Sequence, residues 1–291
     1  MPGTRNAVRN GTTPRELSEQ LEREKPELLP WLLPLRVSLD ALAIEPWRSL
    51  VPLPPRLREA AAPALHGATI PLDPAAARAQ VSAVLGAAFP SLERERVDAV
   101  EAILLLELVI AQDDERLAAM AGHAGLDPDR MLAAAQLAAL PVLHACAHAL
   151  APTADTTWRE RYCHVCGALP LAAEALGLER ARQLRCGRCG AGWKTHVLLC
   201  PYCGESDHAK LGSLVPDGPA GQVCWIETCS TCHGYWKTRA VLRGAASAML
   251  LLEDARTLEL DVAASERGFS RPAGDGFRAR ARVAPMSTIV S

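Results

Sequence analysis

Four strings decide how this sequence folds: Cys163-His164-Val165-Cys166-Gly167, Cys186-Gly187-Arg188-Cys189-Gly190, Cys200-Pro201-Tyr202-Cys203-Gly204 and Cys229-Ser230-Thr231-Cys232-His233. Two residues between the cysteines let both sulfurs of a tight turn reach one metal ion about 2.3 Å away. Glycine follows three of the pairs, where the chain leaves the turn with positive φ, and His233 takes that place in the fourth. A single Cys-x-x-Cys is a weak signal, because a redox dithiol has the same spacing. Four within 70 residues point to metal, and since each knuckle supplies half of a four-sulfur tetrahedron, four make two sites.

The first two knuckles are separated by 19 residues, as in zinc ribbons, and the last two by 25, enough for a longer hairpin. The expected pairing is therefore sequential: Cys163, Cys166, Cys186 and Cys189 around one ion, and Cys200, Cys203, Cys229 and Cys232 around the other. The rival is a cross-brace in which the first and third knuckles share an ion. Zinc and iron both accept four thiolates, and spacing does not separate them. Four sulfurs leave no open coordination position, which argues against hydrolytic chemistry. Ions that only hold the fold and ions with a redox role both remain open. Cys146 and Cys224 stand outside the pattern.

Around the knuckles, Gly192–Val197 and Val223–Glu227 alternate like strands of small hairpins. Trp193, Trp225, Tyr235 and Trp236 fall on these hairpins and read equally as interface anchors or as core. Upstream, Ala151-Pro152-Thr153 marks a boundary. Alanine and leucine at helical spacing predict a bundle from about residue 74. One helix starts at Asp73-Pro74 and a second is capped by Ser91 and runs to about Ala121. A third runs from Asp127-Pro128 to about Leu150, with a kink at Pro141. Nearer the start, Thr13-Pro14-Arg15-Glu16 is a capping-box helix start, whereas Pro30, Pro34 and Pro46 predict only short helices beyond it. The fold expected is α+β: a helical domain over 1–152, tandem four-cysteine modules over 158–243, a C-terminal helix over 244–264 and a flexible tail over 265–291.

Composition narrows function. The formal charge is −2, which gives no sign of a nucleic-acid or membrane partner. Eleven Lys/Arg against seven Asp/Glu between Arg159 and Arg243 leave the module neutral once eight thiolates and two divalent ions are added, unlike a nucleic-acid ribbon. Arg182, Arg185, Arg188 and Lys194 keep local basic character, read as a solvated face. The apolar stretch Ala102–Ala111 is too short for a membrane span and is interrupted by Glu107. No apolar run follows the N-terminus, so no signal peptide is expected and the location expected is cytoplasmic. His144 and His148 share a helix face but lack the metalloprotease glutamate, and read as core. No phosphate loop or nucleophile elbow occurs.

The motif order resembles the formate dehydrogenase accessory protein family, FdhE. The strings that carry the resemblance are Cys163 to Pro170, Leu184 to Cys189 with Trp193 behind it, Cys200 to Gly204, and Glu227 to Thr238. Glu253 to Asp261 and Gly268-Phe269 follow in the family's order. His164 stands where the family's first knuckle has proline, which is not a ligand. Arg278, Arg280 and Arg282 replace its apolar end. The resemblance implies paired rubredoxin- or zinc-ribbon-like modules on a helical domain, two bound metal ions with iron preferred over zinc, and a maturation role. The resemblance further implies that this role is exercised on the catalytic subunit of a respiratory formate dehydrogenase in the cytoplasm, and that the chain is a maturation factor and not an enzyme. The competing readings are a rubredoxin-like electron-transfer or thiol redox protein, and a nucleic-acid-binding zinc ribbon.

Overall fold

The computed structural model describes residues 12–55, 59–91, 97, 100–153, 157–272 and 276–286. Helix α1 (Pro14–Glu24) starts as its sequence dictates: the Thr13 hydroxyl accepts from Glu16 N–H at 3.2 Å and the Glu16 carboxylate accepts from Thr13 N–H at 2.8 Å. It stops ahead of Pro26 and buries Leu17 and Leu21. Helix α2 (Leu29–Ala41) corrects the expectation of short pieces, running thirteen residues through Pro34. The proline leaves one carbonyl without its helical donor, at about 3 kcal/mol. Full burial of Leu32 and Leu35 offsets this.

Strand β1 (Thr69–Leu72) precedes α3 (Pro74–Ala88), whose Asp73 cap accepts from Ala75 N–H at 2.8 Å. The helix start expected at Ser91 runs into residues outside those described. Glu101 caps α4 (Ala102–Ala111) instead, accepting from Ile103 and Leu104 N–H. The single helix expected as far as Ala121 is two. Gln112 turns left-handed at φ +59°, and Asp113 caps a new helix, α5 (Asp114–Ala124). The third expected helix also divides, into α6 (Pro128–Ala138) and α7 (Leu140–Leu150). Pro141 has no N–H to return to the preceding turn, and the break sits just ahead of it. By length and composition these 23 residues could cross a membrane, at mean hydropathy 1.4, yet 61% of the apolar window is buried inside the fold.

The cysteine-rich half is one six-stranded sheet. Strands β2 (Ala172–Leu176), β3 (Ala181–Arg185) and β4 (Gly192–Lys194) form an antiparallel set. Strands β5 (Leu211–Leu214), β6 (Cys224–Cys229) and β7 (Tyr235–Val241) form a second, with the short helix α8 (Pro219–Val223) between β5 and β6. Parallel pairing of β2 with β7, from Ala172 opposite Lys237 to Leu176 opposite Val241, fuses the two into the order β4-β3-β2-β7-β6-β5.

The C-terminal helix expected over 244–264 is later and broken: α9 (Leu250–Arg256) and α10 (Leu258–Ser265) meet at Thr257. Residues 244–246 are not helical. There Ala245 N–H donates to the Glu174 carboxylate and its carbonyl accepts from Arg185, so its backbone groups are already taken by side chains of the sheet. The expected flexible tail contains a strand, β8 (Arg282–Pro285), paired in parallel with β1. Glu107, read as an interruption of an apolar run, accepts from Val283 N–H at 2.8 Å and anchors it. One apolar core runs from Leu17 and Leu21 through the helices to Cys163, Cys186, Trp193 and Trp236.

Candidate metal centres

The four knuckles share one backbone ring. The N–H of each first cysteine donates to the carbonyl five residues on: Cys163 to Ala168, Cys186 to Ala191, Cys200 to Glu205 and Cys229 to Gly234, all at 2.8–2.9 Å. In three of them the residue after the second cysteine donates back: Gly167 to Cys163, Gly190 to Cys186 and Gly204 to Cys200. That exit residue has φ of +80°, +74°, +82° and, at His233, +54°. The ring aims both sulfurs of a knuckle to the same side and points N–H groups at them, as Val165 does toward the Cys163 sulfur at 3.4 Å.

The structure brings together the sequential sets. Cys163, Cys166, Cys186 and Cys189 meet, and so do Cys200, Cys203, Cys229 and Cys232, with all four sulfurs of each set within 4.8 Å of one another. Cys163 lies 3.4 Å from Cys189 and Cys166 3.5 Å from Cys186; in the second set Cys200–Cys232 and Cys203–Cys229 are both 3.7 Å. The edge of a four-sulfur tetrahedron around zinc or iron is about 3.8 Å, so the donor sets fit either ion. Electrostatics agree. Burial pushes the Cys163 and Cys189 thiols well up, while hydrogen bonds from Cys163, Cys166 and Cys189 hold Cys186 well down. A buried sulfur cluster of this kind gains from a cation that keeps every thiol ionised. Each set could therefore hold a metal ion.

The two centres differ in setting. The first is sealed, with all four cysteines buried. Residues 64 and 65 donate to the carbonyls of His164 and Val165, Phe277 N–H donates to Gly167 at 2.7 Å, and Arg188 donates to Val109 on α4. His144 and Cys146 of α7 lie against it, and burial lowers the His144 pKa to about 4 and raises that of Cys146 to about 12. Among the described residues only the two cysteine sets bring three or more metal-ligating side chains together, and no third ligand joins His144 and His148. In the second centre Cys203 and Cys232 are exposed. Glu205 reaches across it, accepting from the Thr231 hydroxyl at 2.7 Å, from Asp207 N–H at 2.9 Å and from Lys210 at 3.1 Å, and these donors hold its carboxyl at about 2. Glu205 follows a knuckle as one acid among many, and its spacing alone did not single it out.

Three of the four hairpin aromatics are core, and Trp225 is half-buried, with the Arg180 guanidinium over its ring. Tyr235, Trp236 and Trp193 are buried, and each polar tip is satisfied: Tyr235 hydroxyl to Asp261 at 2.8 Å, Trp236 to Glu227 at 2.6 Å, Trp193 to the Glu160 carbonyl at 2.9 Å. The basic face expected around the second knuckle is likewise partly interior. Arg182 is buried and donates to the carbonyls of His196, Val197 and Leu199, and Arg185 is buried against Glu174. Arginines spent inside the module are not a phosphate-binding surface.

Sealing makes the exit glycines unequal. A Cβ at Gly167 would stand 2.1 Å from the Phe277 carbonyl oxygen, whereas at Gly204 it would meet only the flexible Arg161 side chain at 3.5 Å. Gly204→Ala should cost about 1–2 kcal/mol of left-handed strain. Gly167→Ala should cost more than twice that, because backbone must move. Thermal melts of the two variants would check this, and equal costs would contradict the sealed packing.

Comparison with known proteins bears on the centres. No family model matches the chain. Over 113 residues it is 34% identical to the FdhE homolog of Shewanella baltica strain OS185, a match covering 38% of this chain and 36% of that protein. The FdhE homolog of Aquifex aeolicus is 32% identical over 117 residues, covering 38% of the chain and 40% of that protein. The chain thus matches little more than a third of the length of these relatives. The crystal structure of the FdhE protein from Pseudomonas aeruginosa has the same fold at a TM-score of 0.60 and 22% identity, over 92% of this chain and 95% of that one. These findings show an FdhE-like fold and, over a little more than a third of the chain, sequence similarity to FdhE homologs. An FdhE-like fold with helices followed by two zinc-ribbon-like modules is the α+β architecture read from the sequence.

Proposed function

We propose that this chain is an accessory factor that matures a respiratory formate dehydrogenase. It binds two metal ions, iron in preference to zinc, through the eight knuckle cysteines, and docks the enzyme's catalytic subunit in the cytoplasm without being an enzyme itself. The observation that carries the reading is the pairing of two metal-competent tetracysteine sets in a chain whose sequence and fold resemble FdhE proteins. The chemistry is consistent with it. Eight ligands for two ions leave no position for a substrate. When bound, the ions hold the knuckles together and, if iron, offer one-electron redox chemistry. The chain's own residues fix the sulfurs, orient N–H groups toward them and exclude water from the first centre.

Deleting the chain from a formate-respiring strain should abolish respiratory formate dehydrogenase activity while the catalytic subunit is still made. Normal formate oxidation in the deletion strain would overturn the assignment. Immobilised chain should also retain the catalytic subunit. The exposed position of Cys203 and Cys232 favours one second reading, a rubredoxin-like electron carrier. A red protein that is reversibly bleached by reductant, in a strain with normal formate oxidation, would promote it.

A further inference from the structure

The two centres have the same four-cysteine ligand set and share the ring bond from each first cysteine, so their difference in burial comes from what covers them. The first lies inside the shared core, with its four cysteines at 2% exposure or less. Its knuckles are tied to residues 64–65 and to Phe277, to α4 through Arg188, and Gly190 packs on Ser247 and His144. A competing ligand reaches that ion only after the helical half and the sheet separate. The second centre is covered on one side. Cys200 and Cys229 are fully buried, but Cys203 and Cys232, the outer cysteine of each knuckle, face solvent. Across that open lip the ties are local: the Glu205 carboxylate accepts from the Thr231 hydroxyl, between the two cysteines of the fourth knuckle, and the Lys210 carbonyl accepts from Ser230 N–H at 2.9 Å and from its hydroxyl at 3.2 Å.

We propose that the centres divide roles: the first is a permanent structural ion, and the second is an exchange site. There a thiolate or other soft ligand from solution takes the coordination position of Cys203 or Cys232, whose metal–sulfur bond breaks as the new one forms and whose thiolate leaves into solvent. Opening the lip needs only local rearrangement of the Glu205–Lys210 segment against Ser230 and Thr231, whereas opening the first centre needs near-global unfolding, and such events are widely separated in free energy in folded proteins. The inference rests on the reading that both cysteine sets bind metal, and adds that one of the ions is mobile.

The test is metal release from the full chain, purified with zinc and mixed with excess chromogenic chelator, with iodoacetamide alkylation followed by mass spectrometry. Two phases of one equivalent each are expected, the first faster by about tenfold or more. Cys203 and Cys232 should be alkylated in the fast phase, and Cys163, Cys166, Cys186 and Cys189 only in the slow one. Glu205→Ala should speed the fast phase and leave the slow phase unchanged. Release of both ions in one phase, or alkylation of first-centre cysteines in the fast phase, would overturn the division. A folded chain that takes up neither zinc nor iron would instead remove the metal reading itself, and the division with it.

Discussion

Cys163→Ser and Cys186→Ser are expected to lose one metal equivalent and, with it, the cooperative fold of the whole chain. A structural four-ligand ion contributes about 10–16 kcal/mol where binding and folding are coupled. That matches or exceeds the total stability of an ordinary domain, about 5–15 kcal/mol. From sequence alone the helical half would survive such a loss, because it has apolar periodicity of its own. The structure removes that independence. The first-centre sulfurs belong to the same core as Leu105, Val109 and Leu143, and α7 lies directly against them. The vacated centre would leave buried thiols without a counter-ion at the middle of that core. Circular dichroism of these variants should show helix signal reduced along with sheet, and elemental analysis one equivalent. Cys203→Ser, at the open lip, should lose the other equivalent while most helix signal stays. Cys146→Ser and Cys224→Ser should keep both ions. A Cys163→Ser chain that melts like the wild type with one ion bound would refute the central role given to the first centre.

What the sequence made legible was local chemistry. The knuckles are written in spacings of three residues, and the ring that each forms needs nothing from elsewhere in the chain. Helix starts at Thr13, Asp73 and Asp127 were readable for the same reason, since a cap is satisfied within three residues. What escaped depends on distant partners. Ala172–Leu176, with its Ala, Glu and Leu, has the composition of a helix; it is a strand because β3 and β7 pair with it on both sides. The arginines around the second knuckle read as a solvated face and the hairpin aromatics equally as anchors or as core, yet Arg182, Trp193 and Trp236 are buried because the sheet and the helices close over them. The strand in the tail was invisible because its partner, β1, lies more than 200 residues upstream.

Glu174→Ala should be the most damaging change outside the cysteines, at about 3–5 kcal/mol. Glu174 sits in the middle of β2 with its side chain 3% exposed, 2.6 Å from an Arg185 side chain that is 6% exposed. The carboxylate also accepts from Ala245 N–H at 2.9 Å, and Arg185 reaches the Ala245 carbonyl at 2.9 Å and that of Gly190 at 3.2 Å. The pair therefore joins β2, β3, the exit of the second knuckle and the segment leading into α9. Removing the acid alone leaves a buried guanidinium with two neutral carbonyls and leaves Ala245 N–H without its acceptor. At about 2–4 °C per kcal/mol for a chain above 150 residues, the melting midpoint should fall by roughly 10 °C. Replacing both members, Glu174→Leu with Arg185→Met, should cost less than Glu174→Ala, since no unpaired charge stays buried. Arg185 Nε finds no partner even in the intact pair, which limits what the arginine contributes to folding. The single variant should also speed release of the first-centre ion, because Arg185 holds the Gly190 carbonyl at the knuckle's exit. If the double variant melts below the single one, the pair stabilises the sheet by more than mutual neutralisation, and this account of the charge buried between β2 and β3 fails.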